Sequence, residues 1–299
     1  VFELLAHAAA LGLRTALSTN GTRIDPAVAA RLAETGVRYV GVSVDGREAT
    51  HDAFRGRPGA YAAALAGLRN ARRAGLKVGL RCTLTATNAG ELPALFDLLR
   101  AEGIPRACFY NLVPNGRGDR LAEAALDAAA TRRAVDTIVD ETARLHADGA
   151  GREILTVDNH ADGAYLYLRM RAEGHPRAPE VLRLLRAAGG NASGERIACV
   201  SWDGTVYPDP FWRTAPVGHV RERAFSEVWA DGDDGLLAAL RRRPRPVTGR
   251  CATCRFLDIC GGNLRARAEA ATGDRWAPDP ACTLTDAEIA GPPPEADDG

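Results

Sequence analysis

The chain has 299 residues, 46% hydrophobic and 25% charged, which excludes wholesale disorder and low-complexity sequence and allows one or two domains with buried cores. Lys plus Arg and Asp plus Glu number 38 each, so no global field favours nucleic acid or an anionic membrane. No stretch approaches the roughly 18 uninterrupted apolar residues of a membrane-spanning helix, and neither nucleic acid nor membrane is an expected partner.

The first residue is Val1, and an amphipathic run (Phe2, Leu4, Leu5, Ala8, Leu11) begins at once without a capping Ser, Thr, Asp or Asn. This start predicts a chain cut within a domain and leaves a signal peptide unreadable. Helical periodicity follows at 2–12, 26–35, 60–74 and 91–102, alternating with β-rich runs at 14–18, 38–44, 77–84 and 108–112. The alternation predicts parallel βα units and hence an α/β fold. Each β-rich run ends in a polar cluster: Ser18-Thr19-Asn20-Gly21, Ser43-Val44-Asp45-Gly46, 83–88 and 111–118. Strand C-termini build the sites of such folds, so the four clusters are expected to share one rim. Taken singly, each also reads as a tight turn or helix cap.

A long helix is expected over 121–147, followed by a polar knot at 156–162, helices near 164–172 and 179–187, and a flexible link at 189–194 that marks a domain boundary. Alternation around Trp202-Asp203-Gly204 predicts a hairpin over 196–207. The dense basic run Arg241, Arg242, Arg243 and Arg245 reads as a solvated helix end, and 291–299 as a disordered tail. The expected organisation is an α/β domain over 1–150, a helical connector over 151–194, a small Cys-rich domain over 195–290, and the tail.

Of seven cysteines, Cys82 and Cys108 lie in β-rich runs and read as small core residues, whereas Cys251, Cys254, Cys260 and Cys282 form a C-x2-C-x5-C-x21-C series. Four thiolates can complete a zinc site or hold a 4Fe-4S cluster. Structural zinc sites usually show two short C-x2-4-C pairs, and here one pair fits. Gly261 and Gly262 after the third ligand would let backbone amides approach cluster sulfurs. Iron-sulfur is the expectation, with zinc, a disulfide or inert thiols as alternatives.

These residues carry a resemblance. Cys199, the hairpin, Gly218-His219-Val220, Phe225-Ser226-Glu227-Val228-Trp229 and Cys251-x2-Cys254-x5-Cys260-Gly261-Gly262-Asn263 resemble the C-terminal SPASM or twitch domain of radical S-adenosylmethionine (SAM) enzymes. Ser18-Thr19-Asn20-Gly21, Val42-Ser43-Val44-Asp45-Gly46, His51-Asp52 and Phe54-Arg55-Gly56 resemble the partial (β/α) barrel of the same enzymes. The stretches 156–163, 190–194 and 276–282 are similar to members that modify tetrapyrrole side chains in heme d1 biosynthesis.

The resemblance implies a partial radical SAM barrel followed by a Cys-rich α+β SPASM/twitch domain. It implies SAM cleaved at an N-terminal 4Fe-4S cluster to a 5'-deoxyadenosyl radical, and a siroheme-derived tetrapyrrole substrate whose propionate side chains are converted. Ser43 would meet the adenosyl ribose, with Asn20 and Asp45 shaping the rim. Cys251, Cys254, Cys260 and Cys282 would hold one auxiliary 4Fe-4S cluster that passes electrons from a donor such as ferredoxin or flavodoxin. Pro208-Asp209 and Leu264 stand where the two-cluster version has cysteines, which leaves Cys199 without ligand partners. The family's C-x3-C-x2-C triad and Gly-Gly-Glu segment do not occur in these residues. They are expected upstream of Val1, so this fragment alone is expected not to cleave SAM; a degenerate, non-catalytic domain is the alternative.

In the polar knot, Asp158 and His160 are candidates for substrate contact, His160 as proton donor or iron ligand, against the role of satisfied structural groups. Arg81 and Arg117 are candidates for tetrapyrrole carboxylates. A SPASM-type peptide-modifying maturase and a non-catalytic iron-sulfur or zinc module are the competing functions, and an oxygen-labile cofactor set points to the cytoplasm.

Overall fold

The computed structural model describes residues 1–113, 123–149, 151–230 and 235–294. The chain divides into two compact units, Val1–Leu112 with Ala124–Val157, and Val113–Glu123 with Asp158–Gly299.

The first unit runs α1 (Phe2–Ala10), β1 (Ala16–Thr19), α2 (Pro26–Glu34), β2 (Tyr39–Ser43), α3 (Glu48–Arg55), α4 (Ala60–Arg73), β3 (Val78–Leu84), α5 (Leu92–Ala101), β4 (Arg106–Asn111), α6 (Ala128–Ala147) and β5 (Glu153–Val157). Local signals set these ends. Asp25 caps α2 by accepting from the Val28 N–H at 2.8 Å ahead of Pro26, Asp127 caps α6 through Ala130 N–H at 2.7 Å, and Gly56 closes α3 in the left-handed region. The five strands are parallel and lie in sequential order, the arrangement of a partial (β/α) barrel.

Period-two alternation gives this sheet two unlike faces. Val40, Val42, Val44, Val78, Leu80, Cys82, Leu84, Ala107 and Phe109 pack with helical Leu32, Leu68, Leu95, Phe96, Leu99, Ile138 and Leu145 in one core. Each large side chain buried there contributes about 1.5–3 kcal/mol. The intervening residues, Tyr39, Gly41, Ser43, Gly79, Arg81, Thr83, Arg106, Cys108 and Tyr110, fall on the other face. Cys108 is buried in its strand as expected, but on this second face, where it pairs in register with Arg81 and interacts with Tyr39 and Arg106. Two elements were not foreseen. The sequence of α3, Glu-Ala-Thr-His-Asp-Ala-Phe-Arg, has too few apolar residues to show a helical stripe, and β5 takes Thr156 and Val157 from the expected polar knot.

The second unit contains α7 (Ala161–Ala172), α8 (Ala178–Ala188), β6 (Cys199–Val200), β7 (Thr205–Tyr207), β8 (Gly218–His219), α9 (Phe225–Ala230), α10 (Gly235–Arg241), α11 (Leu257–Cys260), α12 (Arg265–Thr272) and α13 (Asp286–Ile289). The expected hairpin is present as the antiparallel pair β6–β7, extended by β8. Tyr167, Leu182, Phe256, Ile259, Leu284 and Ile289 form one core, and Trp212, Leu240 and Leu264 anchor another. This is a small Cys-rich α+β unit. The expected connector is split, with β5 in the first unit and α7 and α8 in the second.

Two expectations need correction. The supposed flexible link is interior: Asn191 and Ser193 are buried, the Ser193 hydroxyl donates to Asp209 at 2.6 Å, and Asn191 N–H donates to the Cys260 carbonyl at 3.1 Å. Its Gly and Asn residues serve close packing rather than freedom. The basic run is a solvated helix end only in part: Arg242 and Arg243 are exposed, whereas carbonyls around short α10 take up Arg241 and Arg245. Arg241 donates to Gly194 O at 2.9 Å and Trp229 O at 2.7 Å, and Arg245 is 3% exposed. Of the expected tail, 291–294 are described, with Pro294 O accepting from Arg186, and 295–299 lie outside the described residues. Among the described residues no helix is long and apolar enough to cross a membrane.

Gly67, inside α4, abuts the Asn20-Gly21 turn so closely that a Cβ would collide with the Gly21 carbonyl oxygen. Gly67→Ala gains roughly 1 kcal/mol of helix propensity but incurs overpacking of about 1–3 kcal/mol against unyielding backbone. Its urea midpoint should fall below that of the parent chain; an equal or higher midpoint would show that the turn moves aside.

Candidate functional site

The exits of β2 and β3 are held by a clasp built on Asp45, which is wholly buried. Its carboxylate accepts from Thr83 N–H at 3.0 Å and from Arg55 Nε at 2.8 Å, with Arg55 Nη2 closing a second contact. Its own N–H donates to His51 Nδ1 at 3.0 Å, and its carbonyl accepts from Asn88 Nδ2 at 2.9 Å. Asn88, also buried, donates to Thr83 O at 2.8 Å and accepts from Thr85 N–H at 2.8 Å. Glu91 joins the rim by accepting from Arg47 N–H at 2.6 Å and Thr50 Oγ1 at 2.7 Å. The role of the sequence His51-Asp52-x-Phe54-Arg55-Gly56 is now visible. His51 and Arg55 fix Asp45, and Asp52 accepts from Gly59 and Tyr61 N–H groups at 2.6 and 2.8 Å.

The three expected cofactor-facing residues differ in what they leave open. Ser43, the last residue of β2, is half-buried beside Arg81, and its hydroxyl has no hydrogen-bond partner among the described residues. Asn20 is exposed, with Oδ1 occupied by Thr22 N–H at 3.2 Å and Thr22 Oγ1 at 3.1 Å. The Asp45 carboxylate is committed to Arg55 and Thr83, so it shapes the rim from within. Arg81 lies 4.3 Å over the Tyr110 ring. Arg117 and positions 114–118 of the fourth cluster lie outside the described residues.

In the second unit the four C-terminal thiols come together. Each of the six pairs among Cys251, Cys254, Cys260 and Cys282 is electrostatically coupled. Burial is the main cause that raises each thiol above its ordinary pKa, most strongly at Cys260. Backbone N–H groups nevertheless point at three of the sulfurs: Phe256 to Cys254 at 3.4 Å, Asp279 to Cys251 and Leu284 to Cys282. Such donors favour thiolate. A tetrahedral zinc site with bonds of about 2.3 Å needs its sulfurs within about 3.8 Å of one another. Among the described residues no three His, Cys, Asp or Glu side chains are spaced to hold a single ion. By its chemistry, a set of four thiols can serve as the ligands of a 4Fe-4S cluster as well as of zinc. Gly190, with φ 65°, packs against Cys260, where a Cβ would strike its carbonyl and lie 2.6 Å from Ile259 O. Cys199 pairs with Tyr207 in the hairpin and is not among the coupled thiols.

The polar knot is a clamp beside this set. Asn159 donates to Asp162 at 2.8 Å and to Ala281 O at 3.1 Å, while Asn263 donates to Asn159 Oδ1 at 2.7 Å and accepts from His160 N–H at 2.8 Å. Asp158 adopts φ 66°, and its carbonyl accepts from Arg267 Nη2 at 2.8 Å. Arg267 also grips buried Asp279 through Nε at 2.8 Å and Nη2 at 2.9 Å. Burial, with Arg245 and Arg267 nearby, pushes the His160 pKa down to about 4. Its neutral form prevails near pH 7, which removes imidazolium as a ready proton donor and leaves an imidazole able to ligate or accept.

Residues 1–99 match the Radical SAM superfamily. The chain is 51% identical over 290 residues to the Fe-coproporphyrin III synthase of Methanosarcina barkeri, covering 96% of this chain and 73% of that one. It is 47% identical over 292 residues to the pre-heme d1 synthase of Dinoroseobacter shibae, covering 96% and 72%. Its fold is similar to that of anSMEcpe with bound AdoMet and Cp18Cys peptide, with TM-score 0.67 and 17% identity over 90% of this chain and 71% of that one. The chain belongs to the radical SAM superfamily and is an enzyme of that class. The superfamily uses SAM and a 4Fe-4S cluster.

Burial lowers the pKa of His51 below its ordinary value, outweighing the attraction of Asp45. The folded clasp thus excludes a proton that the unfolded chain binds below about pH 6.5. The stability this gives is present above that pH and is lost as pH falls through the depressed folded value. His51→Asn, which keeps an acceptor for Asp45 N–H, should flatten the fall in urea midpoint between about pH 6.5 and pH 5; identical slopes in both proteins would place the acid sensitivity elsewhere.

Proposed function

We propose that this protein is a radical SAM synthase of tetrapyrrole maturation that converts propionate side chains of an iron tetrapyrrole. A siroheme-derived precursor of heme d1 is the first candidate substrate, and the precursor of Fe-coproporphyrin III is the second. The similarity to two tetrapyrrole synthases along nearly the whole chain carries this reading.

The residues divide the work. Bound SAM and its cluster supply hydrogen-atom abstraction and single-electron chemistry. Ser43 offers its hydroxyl to the adenosyl ribose, and Asp45, locked by Arg55 and Asn88, holds the β2 exit that presents it. Arg81 offers a guanidinium to a substrate carboxylate, braced against Tyr110; it has no carboxylate partner among the described residues. Cys251, Cys254, Cys260 and Cys282 hold an auxiliary 4Fe-4S cluster that relays electrons from a ferredoxin- or flavodoxin-type donor. With four thiolates the coordination is complete, which favours relay over substrate ligation. Asp158 and His160 act through the clamp beside that cluster. Reduced thiols and an oxygen-labile centre suit the cytoplasm.

Protein expressed from its complete reading frame, reconstituted anaerobically and given SAM and a reductant, should form 5'-deoxyadenosine while the tetrapyrrole loses side-chain mass. Turnover confined to a peptide substrate would favour the maturase reading instead. Separately, the chain described here should bind about four irons after reconstitution. Cys282→Ala and Gly190→Ala should each lower that content, the second by displacing Cys260; stoichiometric zinc in place of iron would reject the cluster.

A further inference from the structure

Two arginines next to the thiols are buried without a carboxylate in hydrogen-bond contact. Arg265 is 0% exposed, and its guanidinium reaches only carbonyls: Arg275 O at 3.0 Å, Ala277 O at 2.7 Å and Gly262 O. Its Nε is a buried donor with no partner, and no carboxylate lies within ion-pair distance among the described residues. Arg245 is 3% exposed and donates to Leu240 O at 2.9 Å, Asn191 Oδ1 at 2.7 Å, Gly261 O at 3.0 Å and Ser193 O at 3.3 Å. The nearest carboxylate, Glu195, is 3.9 Å away, one-third exposed and already held by Arg243.

Both guanidiniums thus grip the carbonyls of Gly261 and Gly262, which directly follow Cys260. Arg265 is electrostatically coupled to Asp279 first and then to Cys251 and Cys260, and Arg245 to Arg243, Glu195 and Arg265 ahead of Cys260. The third buried arginine of this region, Arg267, is neutralised by its two-pronged contact with Asp279. A buried cation is strongly disfavoured unless compensated, and here Arg265 shares the single charge of Asp279 with Arg267 while Arg245 has only Glu195 at 3.9 Å, so both favour negative charge on the neighbouring thiols. A four-iron cube with four thiolates is a dianion when oxidised and a trianion after taking one electron. Fixed positive charge at its edge satisfies both forms but stabilises the trianion more.

We propose that Arg245 and Arg265 are the resident counter-charges of the auxiliary cluster and raise its reduction potential. This rests on the cluster reading above. It makes these two side chains tuning residues that never touch substrate, and it assigns the Gly261-Gly262 backbone a second duty as their anchor.

The test is EPR-monitored potentiometry of the reconstituted chain with dithionite as titrant. Wild-type iron content settles the cluster reading first: a chain that takes zinc and no iron fails there, before potentials are compared. At matched iron content, Arg265→Gln and Arg245→Gln should each shift the reduction equilibrium at least tenfold toward the oxidised cluster, about 59 mV for one electron. Arg265→Lys and Arg245→Lys should return most of that shift. Iron lost from a Gln variant but kept by its Lys counterpart also supports the counter-charge role. Unchanged potentials in the Gln variants, Lys variants as low as Gln, or iron lost equally from both would overturn it and leave the arginines as hydrogen-bonding struts.

Discussion

Four partly buried thiols within electrostatic reach of one another set the demands on the second unit. As thiols they would forfeit hydration for little return; as bare thiolates they would repel in a medium that screens poorly. The backbone answers with N–H groups aimed at Cys251, Cys254 and Cys282, and the side chains with Arg245 and Arg265. Both answers favour negative charge on sulfur, which is what the proposed iron-sulfur cluster would place there. The tight seating of Gly190 on Cys260 and the Asn159–Asn263 clamp then follow as means of holding ligands from distant stretches of sequence in one place.

The first unit solves a different problem. Its sheet must pack helices on one face and keep polar groups on the other, and period-two alternation does both with the same strands. Val40, Val42 and Val44 commit β2 to the core, which leaves Tyr39, Gly41 and Ser43 for the opposite side. The Asp45 clasp stops that arrangement from fraying at the strand ends. An acidic residue at a functional rim is readily taken for a ligand, yet here its charge is used up by Arg55 and a backbone N–H, and the adjacent Ser43 hydroxyl is what remains on offer.

Much of this was legible in the sequence because it depends on local pattern. Strands and helices of the first unit follow from apolar spacing, and the C-x2-C-x5-C-x21-C series identified four residues that do converge. What escaped was non-local. Nothing in Gly190-Asn191-Ala192-Ser193-Gly194 says that it packs against Cys260 instead of linking domains; the glycines look alike in either role. Arg241 to Arg245 looked solvated because charge normally is; Arg242 and Arg243 are, and only the tertiary structure shows the carbonyls that take up Arg241 and Arg245. The sequence left His160 open between a chemical and a structural role, and its protonation was not legible there because it depends on burial first and on Arg245 and Arg267 second. The helix α3 was invisible to periodicity but carries both His51 and Arg55.

The most direct check on the central claim is Mössbauer spectroscopy of this chain after anaerobic reconstitution. All bound iron should appear in a single four-iron cube whose sites share complete thiolate coordination. A mononuclear iron tetrathiolate signal, or a cube with one distinct iron lacking a thiolate, would contradict the account.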